Sequence, residues 1–174
     1  MAQEDKTETT KSPEQQDAGA AVQVHAQYIK DFSFENPNSP ESLLAGWGAP
    51  DTNVQINIRH QNLQDNTHEV VLLFRIEAKN KEADKVTFIV ELAYAATVSL
   101  NGVPEENQHP VLMVEVPKLL FPFAREIIAD AAIKGGYPPL YLQPVSFEAI
   151  YMGEMQRLQA ENAGKEGDAE KASA

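Results

Sequence analysis

The chain has 174 residues, no cysteine and a formal net charge of −12. This length predicts a single domain with a complete core, and the lack of cysteine excludes a disulfide framework, a thiolate metal site and a thiol nucleophile. Because nucleic acid binding depends on cations that contact phosphate, the acidic charge argues against a nucleic acid partner. The N-terminus is polar where a signal peptide would be apolar, and no apolar run reaches the roughly 20 residues of a membrane span, so we expect a cytoplasmic protein.

The first predicted element is a strand that follows a polar segment. Residues 1–20 offer almost nothing that could be buried, so we expect a disordered N-terminal tail. From Val22 to Phe34, apolar and polar residues alternate with a period of two, which predicts a half-buried strand. The alternation changes phase near Ile29 and Lys30, and such a change indicates a β-bulge.

The next stretch, residues 35–50, predicts a loop because it is rich in Pro, Asn and Gly. It contains the only tryptophan of the chain, Trp47. A tryptophan in a loop usually plugs the edge of a core, and otherwise it lines a groove. Both interpretations stay open for Trp47.

Three further strands are predicted, around residues 54–58, 69–78 and 85–100. The last of these places Phe88, Val90 and Leu92 on one face and Thr87, Ile89 and Glu91 on the other. The connectors at residues 64–67 and 79–84 are short and polar, as antiparallel hairpins require. We therefore expect a four-stranded antiparallel sheet.

Residues 116–136 predict the one long helix, because apolar residues recur there at helical spacing. We expect a polar loop before it, Pro117 near its first turn and a stop at Gly135 and Gly136, which can adopt positive φ. The alanines of this helix fit either close packing against another backbone or simple helix propensity. Under the first interpretation, this helix could mediate self-association of the chain, and under the second it need not.

The C-terminal part predicts a second, shorter helix. Three prolines within residues 137–147 exclude helix and central strand there, and Ser146 is placed to cap a helix that follows. Beyond Gln159 the sequence becomes polar, so we expect the folded domain to span residues 21–159 and a disordered tail to span residues 160–174.

No catalytic motif is found. The chain lacks a phosphate-binding loop, a GxSxG elbow and any histidine spacing typical of a metal site. We therefore expect no enzyme activity, no metal site and no cofactor. Four strands and two helices offer limited cover for so many apolar residues, so we expect either association of chains or grooves that accept apolar ligands.

Three blocks of the sequence resemble the SecB family of bacterial protein-export chaperones. They are YIKDFSFENPNSP at residues 28–40, LLFPFARE at residues 119–126 and GGYPPLYLQPVSFEAIY at residues 135–151. The resemblance extends over residues 22–159. It implies an α+β protomer that assembles into a homotetramer, a dimer of dimers with long helices at the interface, and an ATP-independent holdase that delivers unfolded precursor proteins to the SecA motor.

The resemblance also implies two sets of site residues. The acidic set, which would receive the basic, zinc-containing C-terminal segment of SecA, consists of Asp31, Glu35, Ile89 and Glu91. The set that would line grooves for unfolded clients consists of Trp47, Val54, Ile56, Ile58, Phe88, Val90, Leu92, Leu140, Leu142 and Ile150. Core and groove residues have the same composition, so the sequence does not separate them.

Two alternative functions remain at this point. One is a related chaperone that serves a toxin and antitoxin pair, against which the complete acidic set argues. The other is a small enzyme or carrier with an apolar pocket, as in some thioesterases, and the lack of catalytic motifs argues against it.

Overall fold

The computed structural model describes residues 21–64 and 66–172, with side chains described as far as Glu161. The elements in chain order are β1 (Ala21–Glu35), a 3₁₀ turn (Glu41–Leu43), β2 (Asp51–Gln64), β3 (Thr67–Asn80), β4 (Lys85–Asn101), α1 (Glu105–Pro110), a π-helical segment (Val111–Glu115), α2 (Val116–Lys134) and α3 (Phe147–Ala172). Within the described part of the chain, no helix is long and apolar enough to cross a membrane.

The four strands form one antiparallel sheet in the order β1-β4-β3-β2. This confirms the predicted sheet, and the two hairpins that join β2 to β3 and β3 to β4 have the short polar turns that the sequence indicates. The order leaves β1 and β2 as the two edge strands.

The sheet has one face covered by helices, here called the inner face, and a second face on which none of the described helices packs, the outer face. On β3 and β4 the even-numbered residues from Val70 to Ala78 and from Phe88 to Leu100 point to the inner face and are buried. The helix α2 packs on them through Leu120, Ala124 and Ile128, and Phe121 lies between Phe74 of the sheet and Phe147 of α3. The core therefore lies between one sheet face and a single layer of helices.

Two irregularities interrupt β1, between Val24 and Ala26 and between Ile29 and Asp31. The second confirms the bulge that the phase change predicts. Because residues opposite each other in a ladder point to the same face, the register assigns Phe32, opposite Leu92, to the inner face and Asp31, opposite Ala93, to the outer face. The bulges thus keep the phenylalanines inside and the carboxylates outside.

The helical region begins earlier than expected. Residues 105–115, for which the sequence predicts a polar loop, form α1 and the π-helical segment instead. Two acidic residues, Glu105 and Glu106, lie in the first turn of α1, where negative charge stabilises a helix, and Leu112 and Val114 are buried in the core. The composition of this segment looks polar, but its inward side is apolar.

The C-terminal end of α2 and the N-terminal end of α3 lie where the sequence predicts them. Gly136 has a φ of 89° just beyond α2, as predicted for the stop, and the amide of Ala149 donates to Oγ of Ser146, 3.2 Å away, which confirms the predicted cap. A Cβ atom on Gly135 would lie 2.2 Å from the ring of Phe34, so only glycine allows this close approach of β1. In contrast, α3 continues to Ala172, beyond the boundary at Gln159 and into the tail expected to be disordered, since a sequence rich in Ala, Glu and Lys favours helix without burial.

Candidate functional site

The four residues of the acidic set lie together on the outer face. Glu35 is directly opposite Ile89 in the ladder between β1 and β4, and Ser33 is directly opposite Glu91. Asp31 lies two residues further along the same face of β1. The structure therefore brings all four into one patch at the end of two neighbouring strands, opposite the buried Phe88 and Val90.

The charges of this patch are only partly neutralised. Glu91 forms an ion pair with Arg75 of β3. Among the described residues, Asp31 and Glu35 have no ion-pair partner, and both are exposed. With the half-exposed Ile89 between them, the patch combines negative charge and a small apolar area. It suits a basic segment that also carries an apolar side chain.

A second cluster on the outer face, centred on Glu69, was not predicted from the sequence. The Glu69 carboxylate is 5% exposed and accepts hydrogen bonds from Tyr28, from Nζ of Lys30 at 2.6 and 2.9 Å, and from Nε2 of Gln61 at 2.8 Å. These donors lower the pKa of Glu69, with the Lys30 bond as the largest cause, and the bond to Glu69 raises the pKa of Tyr28 to about 12. The cluster spans the sheet from β1 to β2.

Four of the ten residues in the predicted client set are core residues. Phe88, Val90, Leu92 and Leu142 are all buried within one subunit. A client could reach them only if the helices left the sheet, so their assignment as client contacts stays a prediction. Their apolar character serves packing.

The other client-set residues are accessible to different degrees. Val54, Ile56 and Ile58 lie on the inner face of the edge strand β2, where Val54 is exposed and the other two are half-buried. Leu140 and Ile150 are half-buried after α2 and on α3. These five residues can contact a ligand without any change of fold.

A groove lies between β2 and α3, with a cavity of about 450 Å³. Ile58 of β2 and Ile150 of α3, two members of the predicted client set, line it together. Its other lining residues are Asn57, Arg59, His109, Met113, Tyr151, Glu154, Met155, Arg157 and Leu158. The two methionines, one in the π-helical segment and one on α3, were missed, although flexible thioether side chains are a known feature of adaptable binding surfaces.

Trp47 lies away from this groove, over the start of β4. Its Nε1 donates to Oγ1 of Thr87 at 2.9 Å, its carbonyl accepts from Nδ2 of Asn80, and Nζ of Lys85 lies 5.9 Å from the ring centroid. The half-buried ring is thus anchored at the end of β3 and the start of β4. This arrangement agrees with the first of the two interpretations, a plug.

One further apolar area is uncovered within a single subunit. On the outward side of α2, Phe123 is 51% exposed, and Leu119 and Ile133 are exposed to a similar degree. On the neighbouring edge strand, Ile29 and Phe32 are exposed on the inner face and border a cleft of about 330 Å³ against α2. Apolar surface of this extent is typical of an interface between subunits.

The described residues contain no group of three or more His, Asp or Glu side chains placed to hold a metal ion. The three histidines His60, His68 and His109 do lie near one another, and the rings of His60 and His109 are in edge-to-face contact at 5.2 Å. Their neighbour is Tyr151, whose hydroxyl is 3.1 Å from Nδ1 of His109. This is a packing cluster at the mouth of the groove.

Comparison with known sequences and structures identifies the family. The family model described as preprotein translocase subunit SecB matches residues 15–158. A protein-export protein SecB from Nitrobacter winogradskyi is 49% identical over 150 residues, which cover 86% of this chain and 89% of the relative. A protein of the same description from Rhodospirillum centenum is 45% identical over 154 residues, which cover 88% of each chain.

A solved structure agrees with the fold. It is a SecB-like chaperone from Mycobacterium tuberculosis in complex with a ChAD peptide from the HigA1 antitoxin, and it matches with a TM-score of 0.58 over 72% of this chain and 91% of that chain. The two sequences are 15% identical, so the likeness concerns the fold alone.

The fold and the family define a chaperone, and the family is one of chaperones rather than of enzymes. The chain belongs to the SecB family of protein-export chaperones. The family that the three sequence blocks predict is therefore confirmed.

Proposed function

We propose that the protein is an ATP-independent holdase of the cytoplasm that binds unfolded precursor proteins and delivers them to the motor SecA. The observation that carries this proposal is the groove between β2 and α3, an open surface beside an edge strand in which aliphatic and methionine side chains lie among charged ones. The proposal includes neither catalytic activity nor a bound cofactor.

The groove suits an extended polypeptide for two reasons. As an edge strand, β2 has unpaired backbone groups along its outer side, and an extended chain can pair with them whatever its sequence. Apolar side chains of such a chain would then contact Ile58, Ile150 and the flexible Met113 and Met155. Backbone pairing combined with adaptable apolar contacts predicts low sequence selectivity, as a general chaperone requires.

The proposed assembly is a homotetramer, a dimer of dimers. It is supported by the exposed Leu119, Phe123 and Ile133 of α2 and by the exposed apolar residues on edge strand β1. Burial of these side chains would stabilise association, at about 25 cal/mol for each Å² of apolar area removed from water.

The proposed docking surface for SecA is the acidic patch of Asp31, Glu35, Ile89 and Glu91. Its support is charge complementarity, because a basic segment would meet two carboxylates that have no ion-pair partner among the described residues. Any zinc in that complex belongs to the segment of SecA. A chaperone of a toxin and antitoxin pair is the second candidate, and loss of SecA binding in a Glu91→Lys variant would favour export over it.

The test is an aggregation assay with an unfolded substrate and no nucleotide. We expect the protein to suppress aggregation near equimolar tetramer, and an Ile58→Ser change in the groove to weaken client binding by about tenfold, the value of one partly buried aliphatic side chain. Leu63→Ser is the matched control, since Leu63 is exposed on the same strand but does not line the groove. Unchanged aggregation at excess wild-type protein would exclude the holdase function.

A further inference from the structure

A cation lies directly beside a carboxylate of the acidic patch. Lys30 is the extra residue at the second irregularity of β1 and immediately precedes Asp31. In a regular strand, neighbouring side chains point to opposite faces, but here both lie on the outer face. The register assigns Asp31 to that face, and the ammonium of Lys30 contacts Glu69 of β3 there. Both side chains line one cleft of about 360 Å³.

Glu69 holds this cation. Nζ of Lys30 lies 2.6 Å from Oε2 and 2.9 Å from Oε1 of Glu69, so both carboxylate oxygens accept from one ammonium. To reach Glu69, the lysine side chain crosses β4, whose outer face carries the small side chains of Ala93 and Ala95 at this level. Glu69 is buried, whereas the side chain of Lys30 is 45% exposed. The ion pair is therefore anchored at its buried carboxylate.

Two carboxylates compete for Lys30. An unpaired carboxylate costs far more free energy when it is buried than when it is exposed, so the buried Glu69 retains the ammonium and the exposed Asp31 is left without it. The other cation that lines the cleft, Arg59, lies on β2, beyond β3. Among the described residues, neither Lys30 nor Arg59 forms an ion pair with Asp31. The charge of Asp31 is therefore not neutralised within the described part of the subunit.

We propose that Glu69 is a positioning residue for the docking of SecA, because it binds Lys30 and thereby leaves the charge of Asp31 free for a basic segment. This inference rests on the proposed docking surface. Glu69 itself need not touch the segment, since it is buried on β3 with β4 between it and Asp31. Without the charge of Glu69, Lys30 would pair with Asp31, and a basic segment would have to displace this internal cation before it could bind.

Three variants separate this role from a change in total charge. Glu69→Gln keeps the shape of the side chain and removes its charge, so it releases Lys30. Glu69→Gln combined with Lys30→Met restores the total charge and removes the released cation. Glu69→Gln combined with Lys118→Met restores the same total charge but leaves Lys30 in place. Lys118 is the matched control because it lies on α2, on the inner side of the sheet, where it pairs with Glu115 and Glu148.

The experiment titrates a peptide of the basic SecA segment into each variant by calorimetry at low salt, at a temperature at which all have the circular dichroism and native mass of the wild-type protein. We expect Glu69→Gln to bind about threefold to fivefold more weakly, the range of an exposed ion pair. Lys30→Met should restore wild-type binding in that background, and Lys118→Met should not. Wild-type binding by Glu69→Gln would overturn the proposal, as would restoration by both lysine changes or by neither.

A measurement on the wild-type protein tests the proposal even if Glu69→Gln does not fold. Reductive methylation with limiting reagent, followed by mass spectrometry, compares Lys30 with Lys81, whose side chain is 77% exposed. We expect Lys30 to be labelled about threefold to fivefold more slowly, since the reagent must first displace its ion pair. Equal labelling rates would overturn the proposal, because Glu69 would then not hold the ammonium.

Asp31→Asn distinguishes the failure of this inference from the failure of the proposed docking surface. If Asp31→Asn binds the peptide as the wild-type protein does, Asp31 is not part of the docking surface and both proposals fail. If Asp31→Asn weakens binding and Glu69→Gln does not, only the role of Glu69 fails. We expect both changes to weaken binding, and the loss of Asp31 to have a smaller effect in the Glu69→Gln background, because Lys30 already neutralises it there.

Discussion

The two faces of the sheet use the same strands for different purposes. On the inner face, alternate residues of β3 and β4 are apolar and covered by α2, so they provide the stability of the fold. On the outer face, the intervening residues form the Glu69 cluster and the acidic patch, in which charge and hydrogen bonds dominate. The strands thus keep apolar packing and charged side chains on separate faces, so that a change on one face need not disturb the other.

The separation of the two faces is tested most strongly by placing the same charge on neighbouring residues that point to opposite faces. Val90 is 0% exposed on the inner face, and Ile89 is half-exposed on the outer face. Val90→Asp would bury an unpaired carboxylate, which costs several kcal/mol, and we expect the variant to be unfolded or to lose most of its stability. Ile89→Asp is the control and is expected to fold. Urea denaturation followed by circular dichroism measures both, and equal loss of stability would contradict the separation of the faces.

The acidic patch predicts the next largest effect, on binding rather than on stability. Glu91→Lys reverses one charge and breaks the ion pair with Arg75, so we expect at least about tenfold weaker binding of a basic SecA segment at low salt. Glu82→Lys makes the same change of net charge in the exposed turn before β4 and should have little effect. Client capture should be unchanged in both variants, and calorimetric titration with the basic segment separates them. If Glu91→Lys binds the basic segment as tightly as the wild-type protein does, the acidic patch is not part of the docking surface for SecA.

The Glu69 cluster predicts a moderate effect on stability, with a defined pH dependence. Glu69→Ala would leave Tyr28 and Lys30 without their acceptor, and we expect a loss of about 1–3 kcal/mol in the free energy of unfolding. Because the folded-state pKa of Tyr28 is raised from 10.0 to about 12, the stability that this phenol contributes is complete below pH 10 and is lost as the pH rises from 10 to 12. Denaturation curves across this interval measure it. Tyr28→Phe should remove that part of the alkaline loss, and an unchanged alkaline profile would show that the hydroxyl is not held by Glu69.

The histidine cluster predicts the smallest effect, at the opposite end of the pH scale. Burial, followed by the neighbouring His109 and His68, lowers the pKa of His60 from its usual 6.5. A base whose folded pKa is lowered contributes stability above its unfolded pKa and loses it as the pH falls below about 6.5. Charged groups that border the same groove are Arg59, Glu154 and Arg157, and the last two form an ion pair.

Between pH 7 and pH 5, we expect the free energy of unfolding to fall by about 0.5 kcal/mol less in His60→Gln than in the wild-type protein. This is the order of magnitude for a half-exposed pair of like charges. Thermal denaturation at several pH values measures this. The exposed His25, whose Nε2 lies 3.0 Å from Oγ of Ser99 and which is not part of the histidine cluster, provides the control variant His25→Gln. A profile as steep in His60→Gln as in wild type would exclude the contact between His60 and His109 as its cause.

Local patterns predicted much of the fold. The alternation of β1 and β4, the bulge near Lys30, the cap at Ser146 and the stop at Gly136 follow from rules that involve residues close in sequence. The start of the helical region at Glu105 was missed because polar residues dominate its exposed side. The length of α3 was missed because helix propensity was given less weight than the absence of apolar residues.

The sites were predicted less completely, because they depend on contacts between distant residues. The acidic set was implied by the resemblance to the SecB family, and the register of β1 and β4 brings its four members together on the outer face. The Glu69 cluster joins residues that are up to 41 positions apart, and no local rule connects them. Phe88 and Ile58 have the same apolar character, and only the position of their strands, central or at the edge, separates a core residue from a groove residue.

The bulges in β1 set a rule for how this strand can change in length. Thirteen of its 15 residues have a partner on β4, and His25 and Lys30 are the two extra ones. Deleting either of these extra residues would remove a bulge and leave the remaining residues opposite their present partners, whereas deleting a paired residue would move its neighbours to the opposite face as far as the next bulge. Single-residue deletions in β1 should therefore be tolerated best at His25 and Lys30, a pattern that a small library of deletions would make visible.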